Sequence, residues 1–178
     1  MERPEGALEP PLVVVLIGVS GSGKTTVGQS LATRSGWAFL DADDLHSPSS
    51  IDHMGKGDGL TDKMRGPWIE RLRACISSAL KAEIRTVLAC SALKDSYRQA
   101  LVPAGEPVAF AWLQAAPEVL QRRLTDRAGH FVDEALLESQ LQTLEPPAHW
   151  PSFISEGGEH ATAARVATYF SINACPND

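Results

Sequence analysis

The sequence is short of the features that mark several protein classes. Its 178 residues contain three cysteines, Cys75, Cys90 and Cys175. Their number is odd, their spacing is wide and no CxxC occurs, which argues against a disulfide framework and a zinc site. Cys75 and Cys90 fall in apolar runs and read as buried, reduced thiols. Long hydrophobic runs are also missing: the longest, residues 12–17, is far below the ~20 residues of a membrane-spanning helix. The N-terminal MERPEGALEPP places acids and prolines where a secretion signal has a basic start and an apolar core. Residues 1–10 read instead as a disordered tail, and a soluble cytoplasmic protein is expected. Basic residues are outnumbered, 16 Lys and Arg against 22 Asp and Glu, for a formal net charge of −6. That balance argues against a protein that coats nucleic acid or an anionic membrane by bulk charge, and it leaves room for a focused basic site.

Hydrophobic residues make up 43% and charged residues 21% of the chain, the usage of an ordinary globular domain. The length suits one domain, assigned to residues 11–178. Short, β-branched apolar runs at 12–17, 37–41, 85–91 and 108–113 read as strands buried on both faces. Helical periodicity follows at 27–35, 62–82, 94–101, 118–127 and 135–144. Gly36 stops the first helix, Thr61 caps the second, and Pro117 fits a first helical turn. Pro67 marks a break near the start of the 62–82 helix. Residues 42–60 are a long loop or a set of short helical turns. Residues 152–155 are a fifth strand and 161–170 a last helix. The alternation predicts an α/β fold, a three-layer sandwich with a parallel five-stranded sheet flanked by helices, and ligands at the strands' C-terminal ends.

Between the first strand and the first helix runs Gly18-Val19-Ser20-Gly21-Ser22-Gly23-Lys24-Thr25, followed by Thr26. It matches G-x-x-x-x-G-K-[ST] in full and in the strand-to-helix context the motif requires. Glycines let successive N–H groups converge on phosphates, and the helix adds its positive N-terminal end. Lys24 reaches the β- and γ-phosphates, and Thr25 offers its hydroxyl to Mg²⁺. This is the P-loop of the NTPase fold. The guanine-reading Asn-Lys-x-Asp is absent, since the chain's two asparagines, Asn173 and Asn177, precede no lysine. A small-molecule kinase instead predicts acids beyond the second strand and arginines in a mobile lid. Asp41, Asp43 and Asp44 stand at the first place. Arg122, Arg123 and Arg127 stand at the second, with Arg123 and Arg127 on one helix face as a clamp on nucleotide phosphates. The lid is assigned to about 123–134, with Gly129 as hinge.

With these elements the chain resembles the gluconate kinases, within the shikimate kinase-like P-loop group. The matching segments are GVSGSGKTT at 18–26, FLDADDLH at 39–46, M-G-x-G…L-x-D-x-x-R-x-P-W at 54–68, CSALKDSYRQAL at 90–101, RLTDRAGHF at 123–131 and LLESQLQTLEPP at 136–147. The resemblance implies ATP-dependent phosphorylation of D-gluconate at its 6-hydroxyl, with Mg²⁺ and often a homodimer. The chain departs from the family pattern at Ser47, Ser50, His53, Gly59, Met64, Val132 and Asp133, all on acceptor-side loops.

For such a transfer, Lys24, Arg123 and Arg127 share the phosphate charge. Asp43 orients the acceptor hydroxyl and accepts its proton, while Asp41 holds a Mg²⁺-bound water; the two roles are exchangeable at this level. A sugar acid needs a cation for its carboxylate, from Arg65, Lys94 or Arg98, and hydroxyl partners, from His46 and His130. Two alternatives stand beside this reading: a related kinase of shikimate or a nucleoside monophosphate, and a nucleotide-binding regulator.

Overall fold

The computed structural model describes residues 10–55, 60–102, 105–126 and 134–175. Its centre is a five-stranded sheet in the order β2-β3-β1-β4-β5. The strands are β1 (Val13–Ile17), β2 (Ala38–Asp41), β3 (Thr86–Ala89), β4 (Val108–Gln114) and β5 (Ser152–Ile154), and every pairing is parallel. The helices are α1 (Lys24–Ser35), α2 (Pro48–Met54), α3 (Asp62–Lys81), α4 (Asp95–Leu101), α5 (Pro117–Thr125), α6 (Glu134–Thr143) and α7 (Glu159–Tyr169).

The apolar β1 run explains the layering. Successive side chains of a strand point to opposite faces. Val14 and Leu16 accordingly enter a core with Val27 and Leu31 of α1 and Val166 of α7. Val13, Val15 and Ile17 enter the opposite core with Trp68, Leu72 and Ile76 of α3. All five β1 residues are buried, so this strand needs helices on both sides. A third cluster joins Val19 and Leu93 to Leu120, Leu124 and Leu137, packing α5 and α6 under the loop that follows β1.

Most expected boundaries hold within one or two residues. Gly36 ends α1 in the left-handed conformation at φ 70°, Thr61 caps α3 by accepting from the Met64 N–H, and Pro117 opens α5. Two expectations, for Pro67 and Cys75, are corrected. Pro67 lies inside an unbroken α3. Its missing N–H leaves the carbonyl of Lys63 without a helical donor, and Lys63 is exposed, where water can take that role. Of the two readings of residues 42–60, the described part takes the second, short helical turns: a 3₁₀ turn spans Ala42–Leu45, and Ser47 caps α2 with Pro48 in its first turn. Cys75 is half-buried rather than buried, whereas Cys90 is inside the core at 1% exposure.

Candidate active site

The C-terminal ends of β1, β2 and β3 meet at one edge of the sheet, and the phosphate motif sits there. The Gly18 N–H donates to Ser91 O at 3.4 Å, tying the loop after β1 to the end of β3. Only glycine fits at two points of this loop. At Gly18, φ is 147°, and a Cβ would stand 2.6 Å from Leu113 O. At Gly21, φ is 79°, and a Cβ would stand 3.1 Å from Leu120 O on α5. Lys24 opens α1, and its Nζ donates to Val19 O at 3.0 Å across the loop. The first turn of α1 carries no acid, so its N-terminal end keeps its attraction for an anion.

Thr25 and Asp41 meet directly. The Thr25 hydroxyl donates to Asp41 Oδ2 at 2.8 Å, and the Asp43 N–H donates to Asp41 Oδ1 at 3.1 Å. Both oxygens of Asp41 are therefore engaged, and the carboxylate caps the 3₁₀ turn that follows β2. This pair of hard oxygen donors beside a phosphate cradle fits Mg²⁺, which takes one or two protein oxygens and completes its shell with phosphates and water. Among the described residues, no cluster of three or more His, Cys, Asp or Glu forms a metal cage. The Asp43 side chain projects outward at 79% exposure, with His46 Nε2 3.9 Å from its Oδ1.

His46 lies flat on Trp68, ring centroids 4.7 Å apart, and Trp68 is fixed by donating its indole N–H to Ala42 O at 2.7 Å. Burial holds the His46 imidazole below its ordinary range; the Asp43 charge opposes this, and Arg71 and Arg65 reinforce it. Its Nδ1 is buried without a hydrogen-bond partner. Arg65 lies beyond, donating to Asp62 Oδ1 at 3.3 Å and to the Tyr97 hydroxyl at 3.0 Å. Lys94 Nζ stands 3.7 Å from the same Asp62 oxygen and 5.4 Å from the centre of the Tyr97 ring. The Tyr97 hydroxyl also donates to Asp62, and with Lys94 and Arg65 it holds that carboxyl below the usual range. Arg65 and Lys94 thus form one half-buried cationic patch, bridged by an acid and an aromatic ring.

Arg98 is placed elsewhere, which corrects its candidacy for the acceptor anion. It is 2% exposed. Its Nη1 donates to Ala92 O and Leu93 O, and its Nη2 to Glu145 O and Asp95. The guanidinium lies 5.3 Å over the Trp150 ring. Its work is internal: it holds the turn after β3, where Ala92 takes φ 37°. Arg123 contacts the phosphate loop itself, donating from Nη1 to Gly21 O at 3.1 Å and to Ser155 Oγ at 3.0 Å. Arg127, Gly129, His130, Val132 and Asp133, and with them the middle of the assigned lid, lie outside the described residues, as do Gly59 and residues 1–9 of the assigned tail.

Two features near the phosphate loop carry no sequence expectation. Gln140 of α6 accepts from the Ser20 N–H at 2.7 Å. A cavity of about 410 Å³ opens beside Thr26, between α1 and the start of α7, lined by Gln29, Ser30, Glu159 and His160. Neither carries a short-range sequence signal, because each joins residues more than a hundred positions apart. Cys90, close to Lys24, Asp41 and Asp43, is no nucleophile: burial pushes its thiol up to about 12.

Comparison with known proteins agrees with this geometry. Residues 13–147 match the family model described as an AAA domain. A gluconokinase of Gluconobacter oxydans is 43% identical over 149 residues, covering 84% of each chain. The crystal structure of a sugar kinase from a Janibacter species superposes with a TM-score of 0.82 at 38% identity, covering 92% of this chain and 96% of that one. A gluconokinase from Sinorhizobium meliloti superposes with a TM-score of 0.73 at 36% identity, covering 92% and 98%.

Proposed function

The chain belongs to the gluconokinase family, and from that premise we propose that it transfers the γ-phosphoryl group of ATP to the 6-hydroxyl of D-gluconate, giving 6-phospho-D-gluconate and ADP. The observation that carries the reading is the Thr25–Asp41 contact at 2.8 Å beside a complete phosphate loop. It joins the phosphate-binding strand-to-helix turn to the acids that follow β2, as a kinase of a small acceptor needs.

In this reading the amides of 18–26 cradle the ATP phosphates, and Lys24 swings from Val19 O to the β- and γ-phosphates. Thr25 and Asp41 would hold Mg²⁺, Asp41 through a water, and the bound ion would neutralise phosphate charge. Transfer proceeds in line through a loose transition state, so positioning and charge neutralisation dominate. Asp43 orients the acceptor hydroxyl and takes its proton. The engagement of both Asp41 oxygens supports this assignment over the reverse, since Asp43 is the acid whose carboxylate projects freely from the turn. The Arg65–Lys94 patch is the proposed seat of the acceptor carboxylate, with the half-buried edge of His46 facing its hydroxyls. Arg123 steadies the loop, and Arg127 and His130 complete the set on the resemblance alone.

No helix among the described residues is long and apolar enough to cross a membrane, and Cys75, Cys90 and Cys175 are all unpaired. Both support the proposed cytoplasmic location. A homodimer is proposed from the family resemblance, and sedimentation reads it directly. The test of function is ADP release across a panel of sugar acids, sugars, shikimate and nucleoside monophosphates. Gluconate should stand above the rest; release driven by another acceptor would replace this reading.

A further inference from the structure

Helix α6 and the segment after it touch both halves of the site. Gln140 Oε1 accepts from the Ser20 N–H in the phosphate loop. Glu145 accepts from the Asp95 N–H at 2.6 Å and donates its own N–H to Leu93 O at 2.9 Å, next to Lys94 on the acceptor side. Leu137 packs with Val19 of the loop and Leu93 of the turn after β3. Arg123 holds the neighbouring Gly21 carbonyl from α5. Two successive residues of the phosphate loop are thus gripped by two helices, one taking an N–H and the other a carbonyl.

The chemistry at position 140 is specific. A leucine would satisfy the packing and leave the Ser20 amide without a partner. A carboxylate would satisfy the amide and set a negative charge beside the phosphates. Glutamine supplies an acceptor with no net charge. The Ser20 N–H points at Gln140, so the grip fixes how this peptide is turned, beside the Ser22 N–H that donates to Val19 O at 3.2 Å within the same loop.

We propose that Gln140 is a positioning residue for nucleotide binding, holding the Ser20–Gly21 turn in its phosphate-ready curl through the Ser20 N–H. This rests on the phosphate-loop part of the proposed function and is independent of which acceptor is used. A loop left ungripped must be ordered by the ligand, and that ordering weakens binding.

The test is calorimetric titration of the full chain with ADP and Mg²⁺, beside steady-state kinetics with gluconate. Gln140→Met keeps the length and removes the acceptor; the ADP Kd should rise about tenfold, with the gluconate KM within about twofold of wild type. Gln140→Asn draws the amide back by one methylene and should weaken ADP binding to an intermediate degree, so it serves if the methionine variant does not fold. Gln142→Ala, whose described partner is Glu138 alone, should leave the Kd unchanged. An ADP Kd unchanged or tighter in a folded Gln140 variant overturns the inference, as does an equal rise in the gluconate KM. A wild type that binds ADP but shows no gluconate-dependent ADP release removes the acceptor reading, and the Gln140 inference is then decided by the Kd values alone. A wild type that binds no ADP overturns both.

Discussion

Replacing Arg98 by methionine separates a structural arginine from a ligand arginine. The side chain is 2% exposed and bonds the carbonyls of Ala92, Leu93 and Glu145 and the carboxylate of Asp95. Methionine can follow the alkyl stem but donates nothing. Leu93 O keeps the Glu145 N–H, and Glu145 is exposed, where water can bond its carbonyl, so the buried carbonyl that loses its Arg98 donor is that of Ala92. That loss costs about 1–3 kcal/mol. The Asp95 partner is half exposed, and a screened pair of that kind is worth only about 0–1 kcal/mol. Against these losses stands the relief of a buried charge whose Nε has no partner. The net cost is about 2 kcal/mol, which at roughly 2–4 °C per kcal/mol for a chain of this size lowers Tm by about 4–8 °C. Thermal unfolding should show that drop, while the gluconate KM, measured well below the transition, changes by no more than about threefold. An unchanged Tm with a gluconate KM raised about tenfold or more would refute the structural role and return Arg98 to the acceptor site.

Three further substitutions test the acid assignments and the buried imidazole. Asp43→Asn should lower kcat by about 10²–10⁴-fold with nucleotide affinity kept, and Asp41→Asn should act mainly on the Mg²⁺ dependence; the opposite pattern, read from kcat and Mg²⁺ titrations, would exchange their roles. His46 binds its proton less readily in the folded chain than in the unfolded one, chiefly because it is buried. The unfolded state therefore takes up more protons as pH falls through the ordinary histidine value of 6.5, and stability drops with it. Denaturant melts between pH 8 and about 5.5 should show this loss in wild type and a flatter profile in His46→Gln; equal slopes would contradict the account.

The strands and the phosphate loop were legible because their signals are local. An apolar run bounded by Gly18 and a glycine-rich turn leading into α1 need no distant partner to be read. The same holds for the caps at Gly36 and Thr61, where one residue decides the end of a helix. Arg98 reads as a ligand candidate because its sequence neighbours, Lys94 and Asp95, are those of a solvated helix face, and nothing local shows that Trp150 and Glu145 lie against it. Gln140 was passed over for the same reason: an amide in a polar helix gains meaning only when the fold brings Ser20 to it. Pro67 reads locally as a break because propensity weighs against an interior proline; packing of Trp68, Leu72 and Ile76 overrides that cost. The acceptor side was the least legible part, since the Arg65–Tyr97–Lys94 patch is assembled from two helices whose contact no motif announces.

The most direct measurement identifies the product. ATP and D-gluconate are incubated with the wild-type chain and with Lys24→Ala, and the phosphorus and carbon resonances of the product are recorded by NMR. The account predicts ADP and a single phosphate ester at the 6-position in equal amounts, and a kcat lower by at least about 10²–10³-fold in Lys24→Ala. Phosphate released to water without a gluconate ester, an ester at another hydroxyl, or near-normal turnover in Lys24→Ala would contradict it.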